Sequence, residues 1–543
     1  MANAFFHIDR PTNEPVLSYA PGSPERTALK AKLDELAGRQ IEMPLVIGGK
    51  EVRTGTLGEC RMPHDHGHLL ATYHMAGPEH VQQAIEAALA ARKAWAATAW
   101  EDRAAIFLKA ADLLAGPYRM LLNAATMLGQ SKNAFQAEID SACELADFFR
   151  FNAYFATEIY RDQPASARGT WNRMEYRPLE GFVLAITPFN FASIAGNLPS
   201  APAIMGNVAL WKPASSAVYS AWYLMKVFEA AGLPAGVINF LPGAGSQVGP
   251  AALASEHLGG IHFTGSTSVF QGMWRTVGEN IGRYRSYPRI VGETGGKDFV
   301  FVHESAGVDE TVTALLRGAF EYQGQKCSAV SRAYVPDSLW PAVRDSLLAQ
   351  IAELKMGDPR DFTNFMNAVI DQAAFDSIKG YIEHARDSAD AEVLIGGGCD
   401  DAKGYFIEPT VVLARRPDCR TMVEEVFGPV LTVYVYPAAE YAETLALCDR
   451  TSPYALTGAI FARDRAAIAQ ATCALADAAG NFYINDKPTG AVVGRQPFGG
   501  ARASGTNDKA GSLLNLLRWC SARTIKESFV PPTAYEYPFM QEE

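Results

Sequence analysis

The stretch Phe182-Val-Leu-Ala-Ile-Thr-Pro-Phe-Asn-Phe-Ala-Ser-Ile-Ala-Gly-Asn-Leu-Pro-Ser-Ala-Pro-Ala-Ile-Met-Gly-Asn-Val-Ala-Leu-Trp211 contains no charged residue. A run of this length is long enough to cross a bilayer. Six residues interrupt it, namely Pro188, Asn190, Asn197, Pro199, Pro202 and Asn207. They break the run into a strand, a loop and a helix. We therefore interpret it as the buried core of a large α/β domain and not as a membrane span.

The sequence around this core alternates between strand and helix patterns. Short apolar segments at 181–187, 208–212, 237–241 and 261–264 predict strands, with helical patterns between them. A second α/β unit begins after Gly292, with predicted strands at 299–302, 332–336, 406–412, 430–435, 458–461 and 480–485. Nearly continuous apolar strands that alternate with helices predict parallel sheets covered on both faces.

The two ends of the chain have different patterns. We expect a polar arm over residues 1 to about 40, and a hairpin at 41–52 around Gly48-Gly49. Helices are predicted at 78–92, at 100–115 and from 119 to 160, the last with a break near Gly129. An extended segment at 166–178 and a late strand at 517–526 complete the prediction.

Length and composition exclude several classes of protein. A chain of 543 residues should form more than one domain. The formal net charge of −11, with no basic block, argues against a nucleic-acid binder. The eight cysteines show no CxxC pair, which predicts neither a zinc site nor a disulfide framework and favours a reducing compartment. Residues 1–10 resemble neither a secretory signal nor a mitochondrial transit peptide.

Cys327 is the first candidate for chemistry. It lies in Glu321-Tyr-Gln-Gly-Gln-Lys-Cys-Ser-Ala-Val-Ser331, after the turn residue Gly324 and before a run of small residues that we interpret as a helix start. Free N–H groups at a helix N-terminus favour a thiolate, so this thiol could be a nucleophile. The alternative is a buried cysteine that packs as a small hydrophobic residue.

Two further loops carry candidate polar groups. Glu293 has glycines on both sides in Gly292-Glu-Thr-Gly-Gly-Lys297, so its carboxylate could swing at the mouth of a cleft, or it could be a solvated surface residue. Asn190 follows a predicted strand, and its amide could donate to an oxyanion or merely cap a loop. The loops 242–246 and 265–268 run from a strand to a helix, as phosphate sites do, although the G-x-G-x-x-G fingerprint is absent.

Seven motifs occur in an order that is specific to one family: Pro188-Phe-Asn-Phe191, Trp211-Lys-Pro213, Phe263-Thr-Gly-Ser266, Gly292-Glu-Thr-Gly-Gly296, Gly324-Gln-Lys-Cys-Ser328, Glu424-Glu-Val-Phe-Gly-Pro429 and Gln496-Pro-Phe-Gly-Gly500. On these motifs the chain resembles the aldehyde dehydrogenase superfamily over nearly its whole length. Five other stretches resemble the branch that oxidises L-glutamate γ-semialdehyde, at 13–17, 22–26, 148–152, 481–490 and 497–508.

The resemblance implies roles for the three candidates. Cys327 would attack the aldehyde carbon as a thiolate, and the Asn190 side chain and the Cys327 backbone N–H would hold the oxyanion. Hydride transfer to a nicotinamide would leave a thioester. Glu293 would then take a proton from the water that hydrolyses it.

The resemblance also implies a dinucleotide site and no metal. Lys212 would bond the adenosine ribose, Gly265 and Ser266 would face the pyrophosphate, Glu425 would hold the nicotinamide ribose, Phe427 would pack near the ring, and Thr187 and Pro188 would line the site. The cofactor expected from the branch is NAD. NADP stays open, because Ala214-Ser215 stand where many NAD-selective relatives have an acidic residue.

The substrate implied by the branch has an α-amino and an α-carboxylate group far from the aldehyde. Gly490 and Ala491 would anchor that carboxylate, and Ser328 could add a hydroxyl. Phe191 and Phe498 would flank the aliphatic chain. Glu144 would lie near the aldehyde end, or it could be an ordinary helix-surface glutamate.

We therefore expect the aldehyde dehydrogenase fold, with a parallel-sheet dinucleotide-binding domain (1–159 and 179–293), an α/β catalytic domain (294–505) and a β oligomerisation flap with the C-terminal tail (160–178 and 506–543). The expected assembly is a homodimer paired through the flap, in the cytoplasm or the mitochondrial matrix, with a proline dehydrogenase as a possible partner. The alternatives are a dehydrogenase of another semialdehyde, a CoA-acylating relative, for which Glu293 is unfavourable, and a non-catalytic binding protein.

Overall fold

A computed structural model describes Ala4 and residues 6–542 of the chain. Residues 1–3, 5 and 543 lie outside the described residues. The first four belong to the predicted polar arm and to the segment 1–10 that resembles no targeting signal, and the last belongs to the predicted C-terminal tail. Two seven-stranded sheets dominate the described part, each made chiefly of parallel strands. This architecture confirms the α/β prediction and places two large sheets in one chain.

The first sheet contains the uncharged stretch that opens the sequence. Its strands, in spatial order, are Arg289–Glu293, Leu258–Thr264, Phe182–Ile186, Val208–Lys212, Ile238–Phe240, Leu45–Ile47 and Lys50–Val52. The first five are parallel, and the last two form the predicted antiparallel hairpin at the edge. The central strands are buried because helices cover both faces.

The second sheet lies within residues 294–505, the range predicted as the catalytic domain. Its strands, in spatial order, are Ala391–Ile395, Thr410–Ala414, Val430–Tyr436, Val330–Pro336, Asp298–Val302, Thr457–Phe461 and Asn481–Ile484. Only the first pair is antiparallel. The predicted strand at 406–412 was wrong as one element. Phe406–Ile407 and Thr410–Ala414 belong to different sheets, because Pro409 between them cannot donate to a ladder.

The helices surround these sheets, and two regions differ from prediction. The arm contains a helix, Pro24–Ala37, that Ser23 caps by accepting from the Arg26 N–H. The predicted 119–160 helix breaks at Ser131 (φ 56°), two residues after Gly129, and resumes through a π-helical turn, Glu138–Glu144. The α-helices are Pro24–Ala37, Pro78–Ala97, Trp100–Ala115, Arg119–Gln130, Ala134–Ala137, Leu145–Arg161, Ala192–Ile204, Val218–Ala231, Gly245–Leu253, Thr267–Glu279, Val308–Phe320, Trp340–Ala352, Gln372–Asp387, Arg420–Val423, Tyr441–Thr451, Arg465–Ala474 and Leu513–Leu517.

Smaller sheets connect distant parts of the chain. Thr170–Pro178 pairs antiparallel with Cys520–Ser528 within the same chain, so the two predicted flap segments form one ribbon. Ile41–Met43, Asp65–His74 and Leu57–Met62 make a three-stranded sheet. Two-residue strands pair Cys399–Asp400 with Phe406–Ile407, and Tyr454–Ala455 with Ala501–Arg502.

One short connection brings the two large sheets together. The chain leaves the carboxyl end of strand Arg289–Glu293 in the first sheet and enters strand Asp298–Val302 of the second after residues 294–297. The carboxyl edge of the first sheet therefore meets the amino edge of the second. Between Ala4 and Gln541, no helix has the length and apolar content of a membrane span. The eight cysteines are all free.

Candidate active site

The loop after strand Phe182–Ile186 carries the first predicted group. Residues 187–191 cross from this strand to helix Ala192–Ile204. Asn190 is buried, and its Nδ2 donates to the carbonyl of Gln325 at 3.1 Å, which leaves the second amide hydrogen for another acceptor. Thr187 is fixed by the Trp211 indole, which donates to its hydroxyl at 3.1 Å. Gln325, which accepts the bond from Asn190, lies two residues before Cys327 in the sequence.

A buried ion pair that sequence reasoning missed holds this loop. Both carboxylate oxygens of Asp140 accept backbone N–H groups at the start of the following helix, from Ala192 and Ser193 at 2.9 Å each. Lys132 donates to Asp140 at 2.6 Å, and its ammonium lies 4.6 Å from the ring centres of Phe191 and Tyr322. No local pattern predicts this pair, because Lys132 and Asp140 meet only through the helix break between them.

Cys327 is positioned by a left-handed turn and not by a helix start. Three successive residues before it, Tyr322, Gln323 and Gly324, have φ of 53°, 56° and 67°. A Cβ at Gly324 would overlap the carbonyl oxygen of Gly428, so only glycine fits there. The predicted helix after Cys327 was wrong, since the β-branched and aromatic residues of Val330–Pro336 pair into the second sheet instead.

The surroundings of Cys327 keep its sulfur protonated. Burial raises the pKa of the Cys327 thiol well above its ordinary value, and the nearby carboxyl groups of Asp298, Glu293 and Glu425 raise it further. Gly296 lies against the Cys327 carbonyl so closely that a Cβ would overlap it. The thiol must therefore pass its proton to a neighbouring base before the sulfur can attack as a thiolate.

Glu293 ends its strand beside this thiol. Its Oε2 is buried and makes no hydrogen bond to any described residue. Burial raises the pKa of Glu293 well above its ordinary value, which the Gly500 N–H and the Lys509 ammonium offset only in part. A carboxyl group with a raised pKa and a free oxygen is suited to take a proton from water. Glu293 is therefore not the solvated surface residue that the sequence left as an alternative.

The carboxyl edge of the first sheet presents groups that suit a dinucleotide. Lys212 ends its strand with a buried amine that bonds no described residue, and burial lowers its pKa to about 8. Two strands away at the same edge, Gly265 and Ser266 follow strand Leu258–Thr264 and lead into helix Thr267–Glu279, whose first N–H groups the Ser266 side chain leaves uncapped. An unbonded amine and an open helix N-terminus at one sheet edge fit a ribose and a pyrophosphate.

Glu425 and Phe427 approach from the second sheet, ahead of strand Val430–Tyr436. The Gly296 N–H donates to Glu425 Oε1 at 2.8 Å, and burial raises the pKa of this carboxyl to about 7. Phe427 has φ of 56° and meets Phe189 edge to face at 5.8 Å. Phe189 is the residue between Pro188 and Asn190, so this contact joins the predicted cofactor loops from the two sheets.

One hydrogen bond connects two of the segments predicted to bind substrate. Ser328 shares a hydrogen bond with Thr489 at 2.9 Å, which ties the residue after the nucleophile to the loop of Gly490 and Ala491. Gly490 has φ of 90°, a conformation that favours glycine. Phe498 pairs with Ala510 through two backbone hydrogen bonds, at 3.0 Å and 2.8 Å. Ala491 is half-buried.

Glu144 is not an ordinary helix-surface residue. It ends the π-helical turn and accepts a hydrogen bond from the Ser193 hydroxyl at 3.1 Å. Burial, together with the charge of Asp140, raises the pKa of its carboxyl to about 8. Its carboxyl group therefore contacts the helix that follows Asn190 and Phe191, and it exchanges a proton near neutral pH.

Two buried charges beside the thiol were also missed. Lys297 Nζ and Asp298 Oδ2 are buried without a described hydrogen-bond partner, and Asp298 Oδ1 accepts from the Thr457 N–H at 2.7 Å. Burial lowers the pKa of Lys297 to about 7 and raises that of Asp298 well above its ordinary value. The sequence signal for Lys297 was its place at the end of the motif Gly292-Glu-Thr-Gly-Gly-Lys297.

Comparisons with known proteins agree with this geometry. The chain matches the aldehyde dehydrogenase family over residues 52–525. It is 55% identical over 537 residues to the mitochondrial delta-1-pyrroline-5-carboxylate dehydrogenase of Dictyostelium discoideum, covering 98% of this chain and 96% of that protein. A crystal structure of delta-pyrroline-5-carboxylate dehydrogenase from Mycobacterium tuberculosis bound with NAD superposes with a TM-score of 0.96 at 55% identity, covering 100% of both chains.

A third similarity is to a longer protein. Proline utilization A from Bdellovibrio bacteriovorus superposes with a TM-score of 0.91 at 30% identity, covering 96% of this chain and 54% of that protein. The fold, the ordered motifs and these similarities have one explanation. The chain belongs to the aldehyde dehydrogenase family.

Proposed function

We propose that this protein oxidises L-glutamate γ-semialdehyde, the open form of 1-pyrroline-5-carboxylate, to L-glutamate with NAD. This is the second step of proline degradation. The observation that carries the proposal is the meeting of Cys327, Asn190 and Glu293 between the edges of two sheets, one of which offers a dinucleotide site. Full-length identity to dehydrogenases of this name supports the choice of substrate.

In the first half of the reaction, Cys327 forms a bond to the aldehyde carbon. Its proton leaves to one of the adjacent carboxyl groups, and the sulfur attacks as a thiolate. The free hydrogen of Asn190 Nδ2 and the Cys327 backbone N–H donate to the oxygen that becomes negative. Each such donor typically lowers the barrier by about 3–4 kcal/mol. NAD, when bound, would supply the hydride acceptor, and loss of hydride from this carbon would leave a thioester on the Cys327 sulfur.

In the second half, Glu293 removes a proton from water, and the hydroxide attacks the thioester carbonyl. Its unbonded oxygen and raised pKa support this role. Cys327 leaves as the thiolate and the carboxylic acid is released. Gly292 and Gly295 near Glu293 would give the backbone the freedom that lets this side chain approach the thioester.

Lys212, Gly265 and Ser266 would hold the adenosine ribose and pyrophosphate, and Glu425 the nicotinamide ribose. Thr187, Pro188 and Phe427 would line this side of the site. NAD is expected over NADP because a close structural relative binds NAD. The unbonded amine of Lys212 and the uncapped helix after Ser266 are the structural support for the assignment.

On the other side of the thiol, Gly490 and Ala491 would donate backbone N–H groups to the distant carboxylate, and Ser328 would donate a hydroxyl. Phe191 and Phe498 would flank the chain between the two ends of the substrate. Glu144 would lie near the aldehyde end, where its proton exchange near neutral pH could serve the substrate.

The expected assembly is a homodimer in which the ribbon of Thr170–Pro178 and Cys520–Ser528 extends a sheet of the second copy. This rests on the expected division into domains 1–159 with 179–293, 294–505, and 160–178 with 506–543. A proline dehydrogenase is the expected partner, given the similarity to proline utilization A. The compartment would be the mitochondrial matrix or the cytoplasm, and the name of the Dictyostelium relative describes that protein as mitochondrial.

The test is purified protein with 1-pyrroline-5-carboxylate and NAD, followed by the absorbance of NADH. We expect a kcat/KM at least about a hundredfold higher than with propanal or succinate semialdehyde, because only the full substrate engages a carboxylate anchor and an amino group. Equal or better turnover of succinate semialdehyde would favour a different semialdehyde dehydrogenase. No turnover of any aldehyde, with NAD still bound, would favour a binding protein.

A further inference from the structure

The N-terminal stretch Asn13-Glu-Pro-Val-Leu17 contacts the loop that follows Gly490 and Ala491. Asn13 Nδ2 donates to the carbonyl of Val493 at 2.8 Å, and the Arg495 guanidinium donates back to Asn13 Oδ1 at 2.9 Å. Arg10 donates to the carbonyl of Gly494 at 3.1 Å. Two residues of the arm therefore bond three successive residues of the loop, although more than 470 positions separate them in sequence.

The same arm is bonded to the helix that begins at Leu145. The Asp147 carboxylate accepts from Asn13 Nδ2 at 2.8 Å and from the Glu14 N–H at 2.8 Å. Asn13 thus bridges a rigid helix and a loop with a single amide group. This helix also contains Phe148-Phe-Arg-Phe-Asn152, and Arg150 donates to Glu14 at 2.6 Å. Residues 13–17 and 148–152 are two of the stretches that resemble the glutamate-semialdehyde branch. The roles assigned to the catalytic, cofactor and substrate residues give these two stretches no function.

Buried charges fix the rest of the arm. Arg119 donates to Glu14 at 2.7 Å and also forms a buried ion pair with Glu138. Glu138 accepts from the Leu17 N–H at 2.9 Å and from the Tyr19 hydroxyl at 2.7 Å. Because each of these groups is paired, the arm has one preferred path over residues 13–19.

The loop itself has little structure of its own. Residues 485–497 form neither a helix nor a strand. Val493 is buried, and Gly494 (φ 77°) lies so close to the Phe151 ring that a Cβ would overlap it. Within the loop, a turn is closed by the Arg495 and Gln496 N–H groups, which both donate to the Val492 carbonyl at 3.0 Å. The position of this turn against the rest of the protein depends on the groups around it, which on one side are Arg10 and Asn13.

We propose that residues 10–17 are a strap that sets the position of the carboxylate-anchoring loop, with Asn13 as its main positioning residue. The inference rests on the proposed function for the role of Gly490 and Ala491. Asn13 does not touch the reacting carbon, so its loss affects how the distant carboxylate is held and not the chemical step. A misplacement of binding groups by a fraction of an ångström is enough to weaken substrate binding several-fold.

The test compares Asn13→Ala with Val16→Ala, a half-exposed residue of the same arm that makes none of these polar contacts. For Asn13→Ala we expect KM for 1-pyrroline-5-carboxylate to rise about tenfold, with kcat, KM for NAD and kcat/KM for propanal within about twofold of wild type. Val16→Ala should leave all of them unchanged. An equal loss with both aldehydes, or an unchanged KM, overturns the proposal.

A second measurement does not depend on the substrate. Hydrogen–deuterium exchange should be faster at residues 490–496 in Asn13→Ala than in wild type or Val16→Ala, with the sheets equally protected. Asn13→Asp, which keeps the acceptor for Arg495 but faces Asp147 with a second carboxylate, should give the larger increase. If wild type does not use 1-pyrroline-5-carboxylate, the proposed function fails, and exchange still decides the strap. Unaltered exchange in both variants refutes the strap alone.

Discussion

The two seven-stranded sheets supply the site from opposite edges. The first sheet contributes residues that follow its strands, such as Asn190, Lys212 and Ser266. The second contributes residues that precede its strands, such as Cys327 before Val330–Pro336 and Glu425 before Val430–Tyr436. The four residues between Glu293 and Asp298 join the two edges.

The difference appears in the backbone. At the first edge, residues 187–191 and 265–266 have no positive φ, because the turn from a parallel strand into a helix points N–H groups at a ligand without strain. At the second edge, four residues have positive φ, namely Tyr322, Gln323, Gly324 and Phe427. There, unusual backbone conformations direct the side chains. The first edge is suited to hold a cofactor and the second to hold a nucleophile.

Cys327→Ser should have the largest effect, since it removes the nucleophile from the second edge and leaves the first intact. We expect kcat to fall at least about a thousandfold, because a serine hydroxyl without a strong base attacks poorly. NAD binding, measured by fluorescence titration, should stay within about threefold. Cys473→Ser, which changes an exposed thiol, is the control. Retained turnover would contradict the assignment.

Glu293→Gln tests whether the first edge also takes part in chemistry. Removal of a general base typically costs 10²–10⁴ in rate, so we expect kcat to fall about a hundredfold. Acylation should survive, and stopped-flow measurements should then show a burst of NADH of about one equivalent per site. Loss of the burst together with turnover would mean that Glu293 acts before the thioester forms.

Gly324→Ala tests the strain at the second edge. The added methyl group meets the Gly428 carbonyl in a left-handed backbone, so we expect about 2 kcal/mol of destabilisation in denaturant unfolding, with reduced activity. The matched control is Gly272→Ala in helix Thr267–Glu279, where no atom lies within 4 Å of the added Cβ. It should be neutral or slightly stabilising. Equal effects at both positions would remove the distinction between the edges.

Lys212→Ala should affect the cofactor alone. We expect KM for NAD to rise about tenfold with kcat within about threefold, because the amine would bond a ribose far from the reacting carbon. Labelling of Cys327 by iodoacetamide should proceed at the wild-type rate. Lys226→Ala, on a helix surface where Lys226 pairs with Glu229, serves as the control.

The pH dependence of kcat/KM should give the smallest effect. Cys327 and Glu293 act in their deprotonated forms, and burial raises the pKa of both. Raising the pH therefore populates the active forms, and the rate should rise several-fold from about pH 6 to about pH 9. Initial rates at constant ionic strength measure it. A plateau that is already reached at about pH 6 would show that NAD or substrate binding lowers both pKa values first.

Sequence patterns predicted the parts of this protein that depend on neighbours along the chain. The strands at 182–186 and 208–212, the hairpin around Gly48 and the helix at 100–115 follow from apolar periodicity and turn residues. The family motifs identified Cys327, Glu293 and Asn190 as candidates. They could not identify Lys132 and Asp140, because this pair forms across a helix break that local patterns did not place correctly.

By itself, the sequence determined the fold class, the family and the candidate groups, since each is encoded in short stretches read one at a time. Tertiary structure alone decided that Cys327 follows a left-handed turn and precedes a strand, because Gly428 approaches Gly324 and pairing with Asp298–Val302 outweighs the local helix preference. It also decided that Asn13 contacts the loop at Val493. Hydrogen bonds between residues hundreds of positions apart leave no periodic trace in the chain.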